Sequence, residues 1–357
     1  MGARNSNTSS LKRQVDLSQW WYMSFIDIIV GVKNEEKYIK KCIGSLQNQT
    51  IQDIKILVVD GISSDKTPDI IREIAENDSR VLLLRNPREV ISSARNIGLE
   101  ASDAEYVAYL DGHCYVDHDW LEKLLETYQK YEKRCKLGGV GSTYASPDND
   151  SDLGKIIAKA LQTPFGGIGT AFAQENTIKK VETVAFTLYP RFLLEEEDLL
   201  YDETMSHCED TDFNYQLIKK GYQLLQNPRA LVYQYRRGTL EAFLQQMVNY
   251  GEGRANFTIK NPRTFHWYHI IPTITIFYFI IFMITLIAYL NSLITQFTIL
   301  IIFSPIAMYF LIDIYYTFKF GQIKTLLVFP LEHMGFGWGF LKGILMNNKK
   351  LKRGDFE

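Results

Sequence analysis

Cysteine is scarce in this chain of 357 residues: only Cys42, Cys114, Cys135 and Cys208 occur, far apart and without a C-x-x-C pair. That spacing supplies neither a zinc ribbon nor the disulfide framework of a small secreted domain, and it points to a reducing compartment. An excess of either charge is also missing, since 39 Lys and Arg stand against 41 Asp and Glu for a formal net charge of −2. A polynucleotide partner, which calls for a basic surplus over its phosphates, is therefore disfavoured. There is no internal repeat and no Gly-rich phosphate loop of the Walker or dinucleotide type, which argues against a dehydrogenase. Residues 1–22 are polar, and no apolar signal-peptide core follows Arg4, Lys12 and Arg13, so the amino-terminal domain is expected in the cytosol.

Long apolar runs are present, but only late in the chain. Ile270 to Leu290 is uncharged, and Leu293 to Tyr316 carries only Asp313. Each is long enough for a hydrocarbon core of about 30 Å, and the short loop between them suggests a transmembrane hairpin. Lys260 and Arg263 precede the pair while Lys319 and Lys324 follow it, which places both flanks in the cytosol. A third segment, Ile323 to Leu345, is interrupted by Glu332, His333 and four glycines. It reads as re-entrant or interfacial, with a third crossing as the lesser alternative. Lys349, Lys350, Lys352 and Arg353 suit an anionic inner leaflet or a plain solubilising tail. The expected layout is a polar tail at 1–22, a catalytic α/β domain at 23–258, a membrane region at 259–345 and a basic tail at 346–357, in a multi-pass protein of the cytoplasmic membrane.

Ahead of these runs, apolar strands alternate with helical periodicity: strand Phe25 to Val32, helix Glu35 to Gln49, strand Lys55 to Val59, helix Lys66 to Glu76, strand Val81 to Leu84, helix Val90 to Ala101 and strand Tyr106 to Leu110. This pattern predicts a mostly parallel sheet covered on both faces. Gly138 to Thr143 reads as another strand, Ser146 to Asp152 as a loop, and Gly166, Gly167 and Gly169 as a tight or mobile stretch. Ligands of such sheets sit at the carboxyl ends of the strands, and here those positions hold Asn34 and Glu35, Asp60, and Asp111 with His113.

Asp60, in ILVVDGISSDKT, can accept from a base imide or a ribose hydroxyl, or can simply cap the following turn. In YVAYLDGHCYVDHDW, Asp111 and His113 flank a glycine just past a buried strand. Oxygen and imidazole ligands suit Mn²⁺ and are possible for Mg²⁺, and such an ion would neutralise a diphosphate leaving group; the alternative is a solvated surface turn. Asp117 and Asp119 read as caps of the next helix. Arg95 and Asn96, in ISSARNIG, lie on a helix that can reach the same edge, and the planar guanidinium fork of Arg95 suits a diphosphate. In YDETMSHCEDTDFNYQLIKKG, Asp210 falls at a helix start, where the dipole favours the ionised carboxylate of a base, although an acidic helix cap looks the same in sequence. A helix at Thr239 to Tyr250 either rests on a membrane or packs into the domain.

Taken together and in order, VGVKNEEKYIKKCIGSLQNQT, ILVVDGISSDKT, SSARNIGLEAS, YLDGHCYVD and YDETMSHCEDTDFNYQLIKKGY resemble the inverting family-2 glycosyltransferases, in particular the exopolysaccharide and succinoglycan type with a carboxyl-terminal membrane anchor. The resemblance runs from about Phe25 to Arg254. It implies a GT-A nucleotide-diphospho-sugar transferase fold, a Rossmann-like mixed α/β sheet, followed by transmembrane helices. It further implies donor contacts at Asn34, Glu35, Asp60, Arg95 and Asp111, a divalent cation (Mn or Mg) at Asp111 and His113, a catalytic base at Asp210 with Glu209 beside it, and an acceptor side at Asp212 and Arg254. The donor would be a nucleotide-diphosphate sugar, most simply a UDP-sugar, and the acceptor lipid-linked or saccharide. Two departures stand out: the usual Asp-x-Asp is Asp-Gly-His here, and the Gln-x-x-Arg-Trp of processive relatives is replaced by Gln245, Gln246, Asn249, Tyr250 and Arg254. Transfer of a single sugar is expected. Two other classes remain open, a membrane-bound nucleotidyltransferase, whose Gly-rich lysine segment Val30 to Glu36 does not supply, and a catalytically inactive membrane scaffold with a nucleotide-binding fold.

Overall fold

The computed structural model describes residues 24–167, 177–205, 207–293 and 295–353. The tail at 1–22, Gly169 and the side chains of Lys349, Lys350, Lys352 and Arg353, singled out above, lie outside this description. The chain opens with β1 (Ile26–Val32), α1 (Ile39–Gln47), β2 (Ile54–Asp60), α2 (Thr67–Asn77), β3 (Val81–Arg85), α3 (Ile91–Ala101) and β4 (Tyr106–Asp111). All seven residues of β1 and all seven of β2 are buried. Continuous apolar runs such as IDIIVGV suit strands covered on both faces, and α1 covers one face with Ile39, Cys42, Ile43 and Leu46 at helical spacing.

The remainder of the sheet is built from β5 (Cys114–Val116), β6 (Leu137–Ala145), β7 (Lys179–Val181), β8 (Ala185–Pro190) and β9 (Gln223–Gln234), with helices α4 (Trp120–Tyr131), α5 (Asp152–Leu161), α6 (Arg191–Glu196) and α7 (Glu209–Lys219). Strand order is β3-β2-β1-β4-β8-β6-β9-β5, with β7 paired to β9. The first four of these run parallel, β8 lies antiparallel between β4 and β6, and β9 runs parallel to β6. Two reversals therefore return β6 and β9 to the direction of β1. The carboxyl ends of β1, β2, β4, β6 and β9 and the amino end of β8 all open onto one edge. Separate apolar cores fill the two faces, one around Ile28, Val58 and Trp120 and the other around Leu57, Tyr109 and Phe213.

Four helices follow: α8 (Leu240–Lys260), α9 (Ile271–Leu290), α10 (Gln296–Phe320) and α11 (Thr325–Arg353). Helix α8 runs ten residues beyond the Tyr250 boundary expected from its periodicity, straight through Gly251 and Gly253. The segment from Ile323 is not broken by its glycines either, because α11 is one continuous helix with Pro330 inside it. The glycines serve close approach. A Cβ on Gly251 would fall 2.1 Å from the Phe336 carbonyl oxygen, and one on Gly339 would fall 1.9 Å from that of Val248. Tertiary packing thus outweighs the low helix propensity of glycine along the α8/α11 seam. Segments Trp267–Leu290 and Gln296–Phe320 are long and apolar enough to cross a membrane, and only 6% and 11% of their most apolar windows are buried.

Candidate active site

A cleft of about 770 Å³ runs along the common strand edge. Its sheet side is formed by Gly31 to Lys33, Glu35, Gly61, Arg95, Asp111 and His113, with Arg237 just past β9, and its other side by one face of α8. Cys208 to Thr211 form its end. Cys208 adopts a left-handed conformation at φ 61°, a turn that starts α7 at Glu209 and sets both Glu209 and Asp210 on the cleft.

Charges on the sheet side are paired. Arg95 Nη1 donates to Glu209 Oε1 at 2.9 Å and its Nη2 lies 3.6 Å from Asp111 Oδ1. The guanidinium packs over the Tyr201 ring, which itself stacks on Phe213 at 4.1 Å. Asn96 secures this arrangement from below by donating to the Tyr201 carbonyl and accepting from the Tyr201 amide. Burial pushes the Glu209 pKa up, with the Asp210 charge adding to the rise and Arg95 only partly offsetting it. Asp210 is half-buried and open to the cleft, and its Oδ1 accepts from the Thr211 amide at 2.7 Å.

His113 Nδ1 lies 3.0 Å from Glu35 Oε1, and its Nε2 lies 3.3 Å from Gln234 Nε2. Arg236 donates to Gln234 Oε1, which turns the amide NH₂ toward the ring. That orientation makes His113 Nε2 an acceptor and places the ring proton on Nδ1, toward Glu35. Burial works against a charged His113, but the hydrogen bond to Glu35 and the nearby Asp111 outweigh it and raise its pKa. Donor atoms of Asp111, His113 and Cys114 lie within 4.8 Å of one another. Burial holds the Cys114 thiol far above the range in which it ionises, leaving the carboxylate and imidazole as the effective donors. An oxygen and nitrogen pair with a carboxylate behind the histidine is a fitting set for Mn²⁺.

Not every residue singled out in the sequence faces this cleft. Asp60 reaches the sheet edge, where its carboxylate accepts from the Ser63 amide and hydroxyl and caps the turn after Gly61, which lines the cleft. Asn34 likewise accepts from the Ser64 amide, and its neighbours Lys33 and Glu35 line the cleft. Asp212 is buried and accepts from Lys260, Gln216 and Asn261, which ties α7 to the end of α8 instead of facing an acceptor. Asp119 pairs with Lys123 and makes no cap bond. Arg254 does line the cleft. Arg237 and Gln234 were missed in sequence, although they follow the rule that drew attention to Asp111: both lie at the carboxyl end of a strand running parallel to β1.

Residues 27–197 match the model of the family described as glycosyl transferase family 2. A dolichyl N-acetyl-alpha-D-glucosaminyl phosphate 3-beta-D-2,3-diacetamido-2,3-dideoxy-beta-D-glucuronosyltransferase of Methanococcus voltae is 31% identical over 253 residues, covering 69% of this chain and 77% of that protein. The chain belongs to glycosyl transferase family 2. Another relative, succinoglycan biosynthesis protein ExoA of Rhizobium meliloti, is 26% identical over 260 residues, or 66% of this chain and 70% of its own. Among solved structures, a mannosyltransferase of Pyrobaculum calidifontis in complex with GDP-Man and Mn²⁺ superposes with a TM-score of 0.59 at 15% identity, over 91% of this chain and 88% of that one. As a family 2 glycosyltransferase, the protein combines a GT-A-like α/β sheet with two apolar helices that could span a membrane, and it uses a nucleotide sugar.

Proposed function

We propose that this enzyme transfers a single sugar from a UDP-sugar to a lipid-linked or saccharide acceptor, with inversion, on the cytosolic side of the cytoplasmic membrane. The observation that carries the reading is the convergence of Asp111 and His113 with Glu209 and Asp210, from two stretches of sequence nearly a hundred residues apart, on one cleft that Phe336 of the carboxyl-terminal helices also lines. Asp210 takes the proton of an acceptor hydroxyl. The hydroxyl oxygen bonds to the anomeric carbon as the bond from that carbon to the diphosphate oxygen breaks, and the electron pair leaves with the nucleoside diphosphate. One base suffices for this displacement, whereas a retaining double displacement would need a nucleophile on the opposite face. A divalent cation, Mn²⁺ or Mg²⁺, held by Asp111 and His113 would neutralise charge on the diphosphate. Arg95, with its fork engaged by Glu209 and Asp111, acts as a positioning residue for both carboxylates.

A lipid-linked acceptor is supported by the two apolar helices and by the dolichyl phosphate substrate in the name of the Methanococcus relative. The cytosolic side is supported by Lys260, Arg263, Lys319 and Lys324 at the flanks of those helices. The test is a screen of radiolabelled sugar nucleotides against membranes containing wild type or Asp210→Asn. Label in the lipid or polymer fraction that depends on Asp210, with an inverted anomeric centre, bears the reading out; a wild-type rate in the variant overturns it.

A further inference from the structure

The cleft contains four arginine and lysine side chains, and they fall into two pairs. Lys33 is bonded to Glu89 at 2.7 Å and Arg95 to Glu209, both on the sheet side. Arg237, just past β9, and Arg254, on α8, make no ion pair with any described carboxylate. Arg254 shares one face of α8 with Gln245, Gln246, Asn249 and Tyr250, none of which is charged. His207 also lines the cleft and packs against Gly253, and its pKa is lowered by burial, raised by Glu252 and lowered again by the charge of Arg237. Two guanidinium groups that line one cleft and are held in no ion pair with a described carboxylate are poised for an anion, and their planar forks match phosphate oxygens.

In the proposed reaction the donor diphosphate is served beside Asp111 and His113, and the charge of Arg237 reaches His113 as well. Arg254, on α8, is joined to the apolar helices. Helix α8 lies against α11 through Gly251 and Gly339, and α11 meets the start of α9, where Thr273 donates to the Gly337 carbonyl at 2.9 Å. Phe336, on the seam itself, also lines the cleft. An anion arriving at Arg237 and Arg254 along this route comes with an apolar tail.

We propose that Arg237 and Arg254 form a second anion site in the cleft, which holds the phosphate head group of a lipid acceptor. The inference rests on the acceptor being lipid-linked, and it is tested by binding, so that it stands or falls whether or not sugar transfer is detected. Full-length protein in phosphatidylcholine nanodiscs is titrated with farnesyl phosphate, farnesol, inorganic phosphate and UDP, as wild type and as Arg237→Gln, Arg254→Gln and the double variant. The double variant is expected to lose about tenfold or more in affinity for farnesyl phosphate, while affinity for UDP stays within about threefold and so reports an intact fold. Arg254→Lys should recover only part of the loss, because a point charge replaces a fork. A loss of UDP affinity matching or exceeding the loss for farnesyl phosphate would move both arginines to the donor site. Equal wild-type affinity for farnesyl phosphate and farnesol would remove the anion site altogether. Displacement by inorganic phosphate at equal concentration would assign it to a free phosphate and not a lipid.

Discussion

The two walls of the cleft spend their charges differently. On the sheet side, Lys33, Arg95 and His113 each have a carboxylate partner, and Tyr201, Phe213 and Asn96 hold the pairs in place. On the α8 side the amides bond to neighbours on their own helix, Gln245 to Asn249 and Gln246 to Tyr250, and Arg254 has no described acid in ion-pair contact. A site whose dipoles are fixed before substrate arrives favours a single orientation of the reacting bond, as transfer from a nucleotide sugar requires. A wall with a spare cation and self-bonded amides instead gains its partners from a ligand. The contrast follows from scaffolding, since one wall grows from strand ends and the other from a helix that leads to an apolar bundle.

The sharpest way to break this comparison is to remove the base. Asp210→Asn should lower kcat by about 10²–10⁴ while UDP affinity changes by less than about threefold, because proton removal is lost and the paired wall is left intact. Next in size is a charge on the apolar bundle: Ile280, half-exposed on α9, replaced by lysine should cost about 2.5–3.5 kcal/mol of bilayer insertion. It is checked by the fraction recovered with membranes, and unchanged recovery would argue that α9 does not enter lipid. Gly339→Leu then attacks the seam, because its side chain must displace the Val248 carbonyl. A loss of about 1–3 kcal/mol in unfolding stability is expected, together with reduced transfer, while UDP binding on the sheet wall persists.

How far these walls were legible in sequence follows the same division. Strand ends announce themselves, since apolar runs such as ILVV stop at a polar residue, and Glu35, Asp111 and His113 were found that way. The rule could not say where a side chain turns. Asp60 satisfies it equally well, and its carboxylate turns to accept from Ser63, three residues on. Asp212 shows the same limit, for its partner Lys260 lies 48 residues away and only the fold brings them together. Arg237 was hidden for another reason: β9 returns to the parallel direction only after two reversals, so this residue could not be placed at the functional edge before the topology was known. The glycines of α11 read as interruptions because the reason for Gly339, the backbone of Val248 on α8, is out of sight in sequence.

The smallest effect is expected behind both walls, where a paired charge has no bearing on the cleft. Asp78, just past α2, receives two bonds from the Arg80 guanidinium, at 3.0 and 2.8 Å, and one from Gln47 of α1 at 2.9 Å. Arg80 first, and then Gln47 and the Arg80 amide, hold its pKa down to about 2 despite burial. A depressed carboxylate stabilises the fold above its unfolded pKa, and that contribution disappears as pH falls through the folded value. Asp78→Asn should therefore cost about 1–2 kcal/mol at pH 7, with the difference from wild type shrinking between about pH 4 and pH 2 and kcat unchanged. Urea unfolding midpoints across that range measure it. A deficit that stays constant down to pH 2 would mean the asparagine disturbs packing between α1 and α2, and a fall in kcat would show that the donor wall depends on the sheet flank behind it as well as on its own ion pairs.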